Sequence, residues 1–123
     1  MKRLFLFAVS LIGLITLQGC ASVQEIWDTG NPASFKSKKS ALMLAGCINR
    51  NSNNSWGGTQ QSTMAQLEPD LYEVVRSSTN SPRVISAVVQ VAPFEGGSLA
   101  SFRFNGFNVG LDMHVADMTK GCE

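Results

Sequence analysis

The chain has 123 residues, of which 44% are apolar and 15% charged, and its formal net charge is +1. That length holds one domain at most, and a near-neutral balance lacks the basic patch expected of a nucleic-acid-binding protein. No run of about 20 apolar residues is present, which argues against a transmembrane helix in the mature protein.

Lys2 and Arg3 form a short positive segment, and Leu4 to Leu17 follow as an apolar run interrupted by Ser10, Gly13 and Thr16. A charged start followed by an apolar core of this length is the pattern of an export signal. Two cleavage sites compete. Gly19-Cys20-Ala21 offers small residues for general processing before Ser22. Leu17-Gln18-Gly19-Cys20 resembles the lipobox of bacterial lipoproteins, in which Leu, a tolerant position and a small residue precede the Cys. The resemblance implies a lipid thioether on Cys20, cleavage before it and acylation of the new amine. A thiolate is the nucleophile suited to accept the lipid, and a small residue before it gives the peptidase access.

Cysteine parity points the same way. Three cysteines in an exported protein leave one over. With Cys20 lipidated, Cys47 and Cys122 remain as a pair in a compartment where disulfides persist. Ala21 follows Cys20, where an Asp would favour retention at the inner membrane. The expected address is therefore the outer membrane, lipid-anchored on its periplasmic face. The expected organisation is a lipoprotein signal peptide over residues 1–19, a lipidated tether over 20–33 and a single α+β domain over 34–123.

Residues 21–34 lack sustained periodicity, and Gly30, Asn31 and Pro32 punctuate turns. Trp27 in this stretch has two readings, packed on the domain or placed at the membrane surface. Ser34 is a candidate N-cap for a helix over 34–49, although Lys36, Lys38 and Lys39 would then sit at the unfavourable end of its dipole. The segment "ALMLAGCI" at 41–48 is apolar on every side, as in a buried helix. Residues 49–62 read as a polar loop with Trp56 as its large apolar group, either a lid on the core or an exposed recognition residue.

Strands are expected over 71–77, 83–93 and 99–105, with a weaker one over 61–67. Ile85, Ala87, Val89 and Val91 share one face, as do Ala100, Phe102 and Phe104, whose neighbours Ser101, Arg103 and Asn105 would face solvent. An antiparallel meander of three to four strands with one face to cover follows. Leu111, Val115, Met118 and Cys122 then recur as one stripe of a helix over 108–120. The expected fold is thus an N-terminal helix, a meander and a C-terminal helix, the helices joined by a Cys47–Cys122 disulfide. "AGCI", a Trp, hairpins and a terminal helix ending in Cys resemble small proteobacterial and prophage lipoproteins, with Cys47, Trp56 and Cys122 as landmarks. That resemblance implies a fold and an address rather than an activity.

Chemistry-bearing constellations are sparse. Asp28-Thr29-Gly30 matches the aspartic-protease triplet, but that reaction needs two carboxylates sharing a proton. His114 has Asp117 three residues on; the expected reading is an exposed helix histidine, and a hydrolase would need a serine such as Ser86 or Ser101 beside it. Zinc wants three or four ligands rich in Cys or His, and no D-x-D-x-D-G loop for calcium occurs. No cofactor or metal is expected. Asn53-Asn54-Ser55 is formally a glycosylation sequon with little meaning on a bacterial lipoprotein. The expected function is a non-catalytic interaction module displayed to an envelope protein, with Trp56 and Arg103 as contact residues. An inhibitor of an envelope hydrolase, a prophage superinfection-exclusion factor and a hydrolase around His114 are the alternatives; the oligomeric state stays open.

Overall fold

The computed structural model describes residues 22–123 apart from residue 54, residues 80–83 and residues 107–109, and leaves the Trp56 side chain undescribed. Residues 1–21, with the signal segment and Cys20, lie outside the described residues.

The first element is a short helix, α1 (Val23–Thr29). Ser22 caps it, its Oγ accepting from the Glu25 N–H at 3.1 Å, and the Thr29 hydroxyl donates to the Glu25 carbonyl. Gly30 turns the chain directly into strand β1 (Asn31–Ser37). A Cβ at Gly30 would lie 2.5 Å from the Ile26 carbonyl oxygen, so only glycine fits this junction. The segment expected to be a tether therefore opens the domain. The helix expected from Ser34 is a strand up to Ser37, and α2 (Ala41–Asn53) starts later. Ser40 caps it, its carbonyl and Oγ accepting from Leu44 and Met43. Lys36, Lys38 and Lys39 thus lie before the helix rather than in its first turn, although Lys39 still adjoins the positive end of its dipole.

After a 3-10 turn, Ser55–Gly58, the chain runs through β2 (Gln60–Glu68), β3 (Leu71–Ser78), β4 (Ile85–Phe94) and β5 (Gly97–Phe104). It ends in α3 (Leu111–Thr119). The sheet has five strands in the order β1-β5-β4-β3-β2, every pair antiparallel. The expected meander is β2 to β5; the fifth strand, β1, adds on the far side of β5. It was hidden because its alternation is shallow, with half-buried Ala33 and Phe35 between Pro32, Ser34 and Lys36.

Helices α2 and α3 cover one face. Its floor is Val74, Ala87, Val89, Val91, Ala100, Phe102 and Phe104, all fully buried beneath Leu44, Ala45, Ile48 and Met118. At about 25 cal/mol per Å² of apolar surface, this single-layer core is the main driving force for the fold. The predicted stripe of α3 faces it, with Met118 and Cys122 buried and Leu111 and Val115 packed at the margin. Cys47 and Cys122 form the disulfide, with Cα atoms 5.8 Å apart, so α2 and the segment after α3 are joined. Asn51 reinforces the joint, its Nδ2 lying within 3.0 Å of the Met118 and Lys120 carbonyls.

The second face of the sheet departs from expectation. It is not simply exposed, because α1 folds back across β4 and β5, and Ile26 and Val88 are buried there.

Candidate functional site

Arg103, nominated as a contact residue, lies half-buried on this second face. Its Cζ is 4.5 Å from the centroid of the Trp27 ring, and its Nη1 donates to the Phe102 carbonyl at 2.9 Å. A guanidinium over an indole face is held by the ring quadrupole. Trp27 is therefore packed on the domain, and Arg103 is engaged within it. Trp56 sits in the 3-10 turn after α2, with its side chain outside what is described. The structure does not bring these two residues together into one described site. Asp28 belongs to α1, where its carboxylate accepts from Gln24 at 2.9 Å.

A polar cluster that the sequence did not announce lies on the helix-covered face. Arg76, two residues after Val74 on β3, shares its face and so points into the core, where it is 1% exposed. Its Nε donates to Ser86 Oγ at 3.0 Å, its Cζ lies 6.0 Å from the Phe104 ring centroid, and its Nη1 has no hydrogen-bond partner among the described residues. Desolvation lowers the pKa of Arg76, and the nearby Asp117 carboxylate opposes that shift.

His114 approaches the same Phe104 ring from α3, with centroids 5.8 Å apart. It is 8% exposed rather than the expected surface histidine. Burial pushes its pKa down, the Arg76 charge adds to this, and Asp117 pulls the other way. Polarity hid this position, because a histidine between the apolar positions of α3 gives no burial signal.

The serines considered as partners for His114 are disposed differently. Ser86 Oγ lies 2.8 Å from Gln60 Oε1 and 3.2 Å from the Arg76 carbonyl, besides accepting from Arg76. Ser101 is on the opposite face of the sheet, paired with Gln90 and Ser34. The cluster is thus a buried polar group around Phe104, with Arg76 as its charged member and the Asp117 carboxylate exposed nearby.

A groove of about 580 Å³ runs between β1 and α3, bordered by Pro32, Phe35, Leu111, Val115 and Lys120. Among the described residues no three His, Cys, Asp or Glu side chains gather as metal ligands, and no helix is long and apolar enough to cross a membrane. No family model matches the chain, and no curated protein or solved structure matches it either.

Proposed function

We propose that this is an outer-membrane lipoprotein, anchored through Cys20, whose small α+β domain acts as a non-catalytic interaction module in the periplasm. The observation that carries the reading is the pairing of the cysteines. Cys47 and Cys122 close on each other, which leaves Cys20 over at the end of Leu17-Gln18-Gly19, after an apolar run of signal-peptide length. Lipid on that thiol accounts for the odd cysteine and for the motif together. Several acyl chains, at about 0.8 kcal/mol per buried methylene, hold a protein on a bilayer for practical purposes permanently.

The interaction role is assigned to the Trp56 turn, with an envelope protein as partner, since Arg103 is engaged by Trp27 within the domain. Two measurements test the proposal separately. Cys20→Ala should abolish palmitate labelling and leave an unprocessed precursor; normal maturation of that variant overturns the lipoprotein assignment. Photo-crosslinking from position 59, exposed beside the turn, should capture a discrete envelope partner in intact cells, and the adduct should be lost on Trp56→Ala. An unchanged adduct in that variant overturns the role of the turn.

A further inference from the structure

The two edges of the sheet are not equivalent. The β1 edge carries Pro32 and Lys36 and has α3 alongside. Proline and lysine are the residues by which edge strands discourage pairing. The β2 edge carries neither: residues 60–67 read Gln-Gln-Ser-Thr-Met-Ala-Gln-Leu, without a charge, and a bulge interrupts the register only between Gln66 and Glu68.

Backbone geometry identifies the groups on that edge. The Thr79 N–H donates to the Thr59 carbonyl at 2.9 Å, so the odd-numbered residues of this ladder face β3, since hydrogen-bonded pairs alternate along antiparallel strands. The even-numbered residues of β2 face outward. Ser62 agrees, its N–H donating sideways to Asn53 Oδ1 at 2.7 Å. Beyond that cap, Met64 and Gln66 present their N–H and C=O groups on the open edge.

Apolar surface flanks the same edge. Leu42, Asn49 and Asn53 lie on one flank of α2 by the 3.6-residue repeat, and Asn49 and Asn53 both bond Ser62, so this flank overlooks β2. Leu42 is 52% exposed, Met64 38% and Leu67 47%.

We propose that β2 pairs with β2 of a second copy, antiparallel about a two-fold axis at Ala65, to form a continuous ten-stranded sheet. In that register Met64 stands opposite Gln66 of the second copy, and the two pairs exchange four N–H···O bonds. Ser62, whose N–H is already taken, falls outside the central pairs. The self-complementarity is electrostatic as well. Glu68 is the one charged residue of β2, and the two copies of it lie six residues apart along the strand direction. That is about 20 Å, well beyond a screening length of ~8 Å. Pairing also covers Met64 and Leu67 of both copies. A second copy is favoured over a foreign strand because one uncharged sequence satisfies both sides of the axis.

The axis gives a direct test. Ala65 meets its twin in a non-hydrogen-bonded pair, with Cα atoms about 4.5 Å apart, inside the range a disulfide spans. The full chain carrying Ala65→Cys, expressed in bacterial cells, should run as a disulfide-linked dimer on non-reducing gels. Adding Met64→Pro removes only an outward N–H, a change an edge strand tolerates, and the dimer band should be lost while the thermal transition survives. Gln66→Lys, which touches no ladder bond, should do the same should the proline variant not fold. Ala116→Cys on the exposed face of α3 should give no dimer. Absence of the Ala65→Cys dimer, its persistence in both edge variants, equal crosslinking from Ala116→Cys, or an adduct with a different protein each overturns the proposal.

Discussion

The Arg103 guanidinium lies over the ring of Trp27, 4.5 Å from its centroid, and ties α1 to the second face of the sheet. Through this contact the first helix becomes part of the domain. A cation–π pair of this kind is worth about 0.5–1 kcal/mol where partly exposed. Trp27→Ala and Arg103→Ala should each lower stability, and the double variant should cost less than their sum by about that amount. Chemical denaturation of the four proteins gives the coupling directly.

His114 gives a pH dependence whose sign follows from its surroundings. Burial first, and the Arg76 charge second, hold its pKa below the ordinary 6.5. The unfolded chain therefore binds a proton at higher pH than the native one does. Stability is complete above the unfolded value and falls as pH drops through about 6.5 toward the lower native pKa, where the loss levels off. Melting temperatures between pH 8 and pH 5 should show this slope, and His114→Gln should flatten it.

Gly97 opens β5 where β1 ends. A Cβ there would lie 2.0 Å from the Ser37 carbonyl oxygen and 3.0 Å from the Lys38 Cα. Both are backbone atoms, so the strands must shift apart to admit a methyl group. Gly97→Ala should destabilise by about 1–3 kcal/mol, the range for overpacked sites, measured as a lowered denaturation midpoint. Gly57→Ala tests a different cost, since nothing lies near its Cβ but its φ of +65° remains unfavourable.

The Cys47–Cys122 bridge closes a loop with a sequence separation of 75. In the chain-entropy model that is worth about 4.5 kcal/mol, a large part of the stability of a domain of this size. Cys47→Ala/Cys122→Ala should therefore unfold at much lower denaturant. Thiol reductant should lower the wild-type midpoint toward the same value and leave the double variant unaffected.

The meander was legible because its strands alternate: Ala87, Val89 and Val91 against Ala100, Phe102 and Phe104 specify one buried face without ambiguity. The disulfide was legible by parity, and the C-terminal helix by its apolar stripe. The N-terminal third was misread for identifiable reasons. Ser34 has the residue type of a helix cap but lies in β1, and Ser40, directly before the apolar run, caps the helix. Proline in β1 masked an edge strand, where its missing N–H does no harm. Helix α1 did carry a signal, since Ser22-Val23-Gln24-Glu25 has the spacing of a capping box, and Ser22 does cap Glu25.

The buried polar cluster was the least legible part. Arg76 shares the face of Val74 on β3 and His114 lies beside the apolar stripe of α3, and a polar residue in either place reads as an exposed one. Only the arrangement around Phe104 reveals that both point inward. The sheet's second face was misjudged for a related reason: whether α1 lies over Val88 depends on tertiary packing rather than on the alternation of β4.

That first helix also sets a leash length. Ser22 is already its cap, two residues beyond Cys20. A flexible tether over 20–33 would let the domain wander about 20 Å from its attachment point. Two residues reach no further than about 7 Å. With lipid on Cys20, the domain rides on the leaflet itself, unable to probe the volume beyond it. On that anchoring, whatever binds it would have to come to the membrane surface to do so.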